Sequence, residues 1–175
     1  MNEYNVIFLD IDGVLNSEQY FCWNHNKHYR YGDIDPKEAY RLYRFCKKYN
    51  VKLIISSTWR NGNGVNLTID EFKDEHHHPL EILTEFIVGV TPYSNSRNRG
   101  IEIKYFFEII NDKVGKYKDY YDIFTERFHI KNYCIVDDDT DMLEEQLPYF
   151  VNTSFKNGLT RKDYKKIKHI LNLNG

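Results

Sequence analysis

No stretch of this chain approaches the ~18 consecutive apolar residues that a membrane-crossing helix requires. The amino terminus also lacks a basic region followed by an apolar run and a cleavage site. Cysteine is sparse: Cys22, Cys46 and Cys134 are odd in number, show no CxxC spacing and include one inside an apolar strand pattern, which fits reduced cytosolic thiols. Charge of one sign is not in excess either, with 24 basic residues against 26 acidic ones, so no global field argues for a polyanion partner. Repeats, low-complexity tracts and an interdomain linker are missing as well. The expectation is a soluble cytoplasmic protein with no membrane partner, its oligomeric state left open. At 175 residues the chain has the size of one domain, 1–175. A domain of that size can bury roughly 70% of the surface its unfolded chain exposes.

What is present is organised around Val6-Ile7-Phe8-Leu9-Asp10-Ile11-Asp12-Gly13-Val14-Leu15-Asn16. Its apolar start reads as a buried strand, and the glycine permits a sharp turn just beyond two carboxylates. Two acids that repel one another at the mouth of a strand call for a compensating cation or a shared proton. A solvated turn holding two aspartates is the plain alternative, because short motifs match by chance.

The residues from Asn16 to Gly32 are polar and aromatic without a clean period and read as a loop or small flap. His25 and His28 lack partners at ligand spacing and count as loop residues. Asp35-Pro36 starts a helix that runs to Tyr49, with Asn50 ending it. Val51 to Ile55 is a strand, and Ser56-Ser57-Thr58-Trp59-Arg60 at its carboxyl end offers hydroxyls and an arginine to an anion, or else forms a serine-rich helix cap. A short helix near Ile69 to Lys73, a surface turn at His76-His77-His78-Pro79, and a strand over Ile87 to Val90 follow. A helix begins at Gly100, and Arg99 stands at its amino terminus, where a cation gains nothing from the dipole and is better explained by an anion it holds, with a surface salt bridge as the plain alternative. Tyr133 to Val136 is the next strand, ending in Asp137-Asp138-Asp139-Thr140-Asp141, a solvated acidic loop or a repeat of the first motif's design. Phe150 to Thr153 makes a last strand, and Thr160 to Leu171 a last helix with Thr160 and Asp163 as its cap.

Strand followed by helix recurs along the chain, so the expected architecture is α/β: a parallel sheet flanked by helices on both faces. In such a sheet Asp10, Asp12, Ser56, Arg99, Asp137 and Asp138 share one edge, at the carboxyl ends of strands where ligands bind.

On these motifs the chain resembles the haloacid dehalogenase (HAD) superfamily of phosphohydrolases and phosphotransferases, with its Rossmann-like fold. Asp10-Ile11-Asp12-Gly13-Val14-Leu15 looks like the first motif, Ser56 the second and Val136-Asp137-Asp138 the fourth. More narrowly, Ile55 to Arg60, Val90-Thr91-Pro92, Arg99 to Ile103, Val136 to Asp139 and Asn157 to Thr160 look like a bacterial and phage branch whose phosphatase-like domain also occurs in RNA repair proteins. The resemblance implies Asp10 as nucleophile forming an aspartyl-phosphate and Asp12 as general acid and base. It implies magnesium held by the Asp10 carboxylate, the Asp12 backbone carbonyl and Asp138 or Asp137. It also implies Ser56, Ser57, Arg60 and a third-motif cation as holders of the phosphoryl oxygens. Arg99 and Lys104 both compete for that third-motif place, with Arg99 favoured.

Only about 17 residues separate the first motif from the next helix, and about 38 separate Arg60 from Arg99, too few for a typical cap domain. A minimal cap or none leaves an accessible site, which in the superfamily that the chain resembles goes with large substrates. Together with the resemblance to the RNA repair domain, this implies a phosphate at an RNA or DNA end as the substrate, with Trp23, Tyr29 or Tyr31 as stacking partners. A small-molecule (deoxy)nucleotide phosphatase and a non-catalytic phosphate-binding module are the rivals. A response-regulator receiver is excluded by layout, since it puts its adjacent acids after the first strand and its phosphorylated Asp near the middle.

Overall fold

The computed structural model describes residues 1–23, 34–62, 65–66, 68–75 and 80–173. His25, His28, Tyr29, Tyr31, the His76 to Pro79 run and the side chain of Trp23 lie outside the described residues. Five strands form one all-parallel sheet: β1 (Asn2–Leu9), β2 (Val51–Ile55), β5 (Ile87–Val90), β6 (Phe128–Asp137) and β7 (Phe150–Asn152), in the order β5-β2-β1-β6-β7. Two further strands, β3 (Asn61–Gly62) and β4 (Val65–Asn66), form a separate antiparallel hairpin. This is the parallel, helix-flanked α/β sheet that the strand–helix alternation predicts.

β1 lies at the centre because its second half is apolar on both sides. Val6, Ile7, Phe8 and Leu9 are all fully buried, as expected for a parallel strand covered by helices on both faces. Ile7 sits between Leu53 and Cys134, and Leu9 between Ile55 and Val136. Helix α2 (Pro36–Tyr49) buries Ala39, Leu42, Phe45 and Cys46. Its start is fixed by the Asp35 carboxylate, which accepts the Lys37 N–H at 2.8 Å. Its end is fixed by Asn50, in the left-handed region at φ 51°. The Cys46 and Cys134 thiols are buried, which pushes both well above the usual thiol range and leaves them inert.

Three elements differ from the sequence expectation. The segment after the acidic turn opens with a helix, α1 (Glu18–Trp23), started by the Ser17 hydroxyl accepting the Tyr20 N–H at 3.1 Å. Six residues are too few for a helical period to register. The strand expected from Tyr133 begins at Phe128, because its first half pairs with the polar start of β1 at the partly solvated end of the sheet. The chain break after Arg60 contains the β3–β4 hairpin, whose strands of two residues carry no readable alternation. The remaining helices are α3 (Ile69–Glu75), α4 (Arg99–Ile110) and α5 (Arg161–Ile170). Among the described residues no helix is long and apolar enough to cross a membrane.

Candidate active site

The sheet delivers its polar residues to one edge. The Asp10 N–H donates to Val136 O at 3.0 Å, extending the β1–β6 ladder one residue past the strand and setting Asp10 beside the end of β6. The chain then turns at Gly13, where φ is +69° and a Cβ would stand 2.3 Å from the Asp138 carboxyl carbon. A glycine is thus needed twice, for the backbone conformation and for the close approach of the second acidic loop. Thr153 fastens the turn by donating to Gly13 O at 2.9 Å.

Asp10, Asp137 and Asp138 converge, with one carboxylate oxygen from each within 4.8 Å of the others. Arg99, the first residue of α4, reaches into this group. Its Nε donates to Asp137 Oδ2 at 3.0 Å, one terminal nitrogen lies 3.6 Å from Asp10 Oδ1, and the other lies 3.4 Å from Glu102 Oε2. The Arg99 backbone N–H donates to Asp141 Oδ2 at 2.7 Å. An acid therefore also meets the helix start, where the dipole favours it. Glu102 in turn pairs with Arg60 and accepts the Ser94 N–H at 3.0 Å.

Burial pushes the Asp10 carboxyl up to about 6, against the opposing pull of Arg99 and of a hydrogen bond from Ser57. Burial, reinforced by the neighbouring Asp10 charge, pushes Asp137 up to about 8. Asp138 is raised in the same direction, by burial and then by Asp139. Burial alone would lower the Arg99 guanidinium, but Asp137, Asp10, Glu102 and Asp141 outweigh it and hold it above its ordinary value. With every carboxyl ionised, as a bound cation would favour, Asp10, Asp137, Asp138 and Glu102 set against Arg60 and Arg99 leave an excess of two negative charges. An all-oxygen donor set with that deficit fits a hard divalent cation such as Mg2+.

Asp12 stands apart from the cluster. Its Oδ1 accepts from Asn16 Nδ2 at 2.8 Å and its Oδ2 from the Trp59 indole at 2.9 Å, so the carboxylate is held at the half-exposed rim. Ser57 sits against Asp10, while Ser56, buried at the end of β2, has its hydroxyl 3.5 Å from that of Thr91.

Two expected phosphate holders are placed differently. Arg60 is only 1% exposed and is engaged by Glu102 and the Ser57 carbonyl, so it braces Glu102 instead of offering a free fork to an anion. Lys104 is exposed further along α4, and the ion pairs of the cluster run through Arg99 and not through it. On a helix of 3.6 residues per turn, positions five apart face different ways.

Trp59, Asn16, Glu102 and Asp141 were not singled out by the sequence. Glu102 carried a readable signal, three residues after Arg99 on the same helical face. The indole of Trp59 carried none.

Residues 6–164 match the family described as the HAD domain in Swiss Army Knife RNA repair proteins. No curated protein and no solved structure matches the chain. The match supports a phosphatase-type hydrolase, and the aspartate cluster suits the metal dependence typical of HAD proteins. Covering nearly the whole sheet and all of the residues just described, it makes this chain a member of the HAD domain family of the Swiss Army Knife RNA repair proteins.

Proposed function

We propose that this domain is a Mg2+-dependent phosphohydrolase that works through an aspartyl-phosphate on Asp10 and removes terminal phosphates from nucleic acids. The observation that supports it most is the convergence of buried Asp10 and Asp137 with half-buried Asp138, where, of the three, the Arg99 guanidinium pairs only with the first two. Three carboxylates so placed are costly unless a cation joins them.

In this reading an Asp10 carboxylate oxygen attacks phosphorus while the bond to the leaving oxygen breaks, and Asp12 gives that oxygen its proton. Asp12, now ionised, takes a proton from water as the water attacks phosphorus, breaking the bond to Asp10 and freeing phosphate. Ser57 holds the Asp10 carboxylate in line, and Arg99 offsets the charge of Asp10 and Asp137. Trp59 and Asn16 keep Asp12 at the rim, where a leaving group departs. The Asp10 carboxylate, the Asp12 carbonyl and Asp137 or Asp138 would hold Mg2+, which when bound supplies positive charge to the transferring phosphoryl oxygens.

The nucleic-acid substrate rests on the family's description and on the few residues available for a cap. The test is Asp10→Asn: Mg2+-dependent hydrolysis of an aryl phosphate should vanish while the circular dichroism spectrum stays unchanged. Undiminished turnover would reject Asp10 as nucleophile. Phosphate release from 3′-phosphorylated oligonucleotides should exceed that from mononucleotides, and the reverse preference would reject the substrate class.

A further inference from the structure

Next to the acidic cluster lies a cleft of about 440 Å³ bordered by Thr58, Arg60, Tyr93, Arg97, Arg99, Glu102, Asp139 and Asp141. Arg60, Arg99 and Glu102 tie it to the site above, but Tyr93, Arg97, Asp139 and Thr58 have no part in the chemistry proposed there. Tyr93 is 37% exposed, and its hydroxyl accepts from Arg97 Nε at 3.1 Å. That bond leaves the two terminal nitrogens of Arg97 open to a ligand, and among the described residues no carboxylate pairs with them.

Arg97 holds this posture against its own backbone preference. Its φ is 53°, in the left-handed region. A side chain with a Cβ resists that region, and such outliers persist where the surroundings enforce them. Here the enforcement is visible: Arg97 N–H donates to Ser94 O at 2.9 Å, the Ser94 and Ser96 hydroxyls meet at 2.8 Å, and Glu102 fixes the Ser94 N–H at 3.0 Å. The loop that carries the tyrosine and the arginine is therefore preorganised by the same Glu102 that braces Arg60 and Arg99.

The lining is mixed in sign, which narrows the ligand. Asp139 is exposed, and within the lining Arg60 Nε lacks an acceptor and Asp141 Oδ1 lacks a donor. A polyphosphate would meet repulsion from the acids. A nucleoside unit bearing one diester has a flat ring for Tyr93, one negative charge for Arg97, and hydroxyls and amines for carboxylate oxygens.

We propose that this cleft is the subsite for the terminal nucleoside of the substrate: its base packs on Tyr93 and the phosphodiester on its far side meets Arg97. The inference rests on the phosphohydrolase reading and adds a substrate requirement to it, an end of at least two nucleotides.

The experiment compares kcat/KM for a dinucleotide with a 3′-terminal phosphate, a nucleoside 3′-phosphate and an aryl phosphate, in wild type, Arg97→Gln and Tyr93→Ala. Arg97→Gln should lower the dinucleotide-to-mononucleotide ratio about tenfold, mainly through KM. Tyr93→Ala should lower both nucleotide substrates relative to the aryl phosphate. Unchanged ratios in a wild type that does hydrolyse aryl phosphate would overturn the subsite and leave the phosphohydrolase standing. If wild type hydrolyses none of the three, the phosphohydrolase reading fails, and calorimetric binding of the same dinucleotide decides the subsite. Affinity about tenfold weaker in Arg97→Gln supports it, whereas equal affinity or no binding overturns it.

Discussion

Replacing Trp59 by Phe deletes one hydrogen-bond donor and keeps an aromatic ring in the half-buried place where Trp59 packs against the core. The lost contact is the 2.9 Å bond from the indole N–H to Asp12 Oδ2. A hydrogen bond to a charged acceptor contributes about 1.5–3 kcal/mol, equivalent to roughly 10- to 150-fold in rate if it is felt in full at the transition state. Asn16 still holds the other oxygen at 2.8 Å. The expected loss therefore lies at the low end, about tenfold. That loss should depend on the leaving group. An aryl oxygen departs readily without a proton, whereas an alkyl oxygen needs one from Asp12. The assay is therefore kcat/KM, which covers the steps up to the first phosphoryl transfer, for an aryl and an alkyl phosphate with and without the substitution. The alkyl ester should lose about ten times more than the aryl ester. Equal losses on the two esters, or none on either, would refute the idea that Trp59 acts by positioning Asp12.

The same geometry sets three further outcomes. Gly13→Ala should lose divalent-ion binding and lower Tm, because its Cβ would stand 2.3 Å from Asp138 and its φ of +69° opposes a side chain. Titration with Mn2+ alongside thermal melts reads both effects. Glu102→Ala strands the buried Arg60 and part of Arg99. It should destabilise the fold by about 3–5 kcal/mol in urea melts, while Glu102→Gln should cost less. Burial holds folded Asp10 at about 6 and Asp137 at about 8 against an ordinary 3.8, so both bind protons more tightly folded than unfolded. Stability without metal should then fall as pH rises from about 4 through 8, and the gain in Tm from added Mg2+ should be larger near pH 8 than near pH 5.5; a pH-independent gain would contradict this.

The sequence was most readable where residues act alone or in short runs. β2, apolar except for Lys52, and β5 are short runs bounded by Asn50, the serines and Pro92, and both appear where such runs predict them. Arg99 was legible as a cation misplaced at a helix start, and the gathering of Asp10, Asp137 and Asp138 follows from parallel strands ending at a common edge. Pairings across long separations were not legible. Trp59 meets Asp12 across 47 positions and Arg60 meets Glu102 across 42, and no local periodicity encodes either contact. For the same reason nothing local announces that Glu102 and the Ser57 carbonyl engage Arg60. α1 and the β3–β4 hairpin were hidden because elements of six and two residues are shorter than the patterns that announce them.

The pairing of Leu9 with Val136 means that adjacent parallel strands run out at the same level, with Asp10 hooked to the last rung by its own amide. A slip of one residue between them would move one acid about 3.3 Å past the other and turn alternate side chains to the opposite face. An insertion or deletion inside either strand should therefore silence the site even where the domain still folds, whereas length changes in the loops at the far end of the sheet should be tolerated. Strand register acts here as the ruler that measures out the distance between carboxylates.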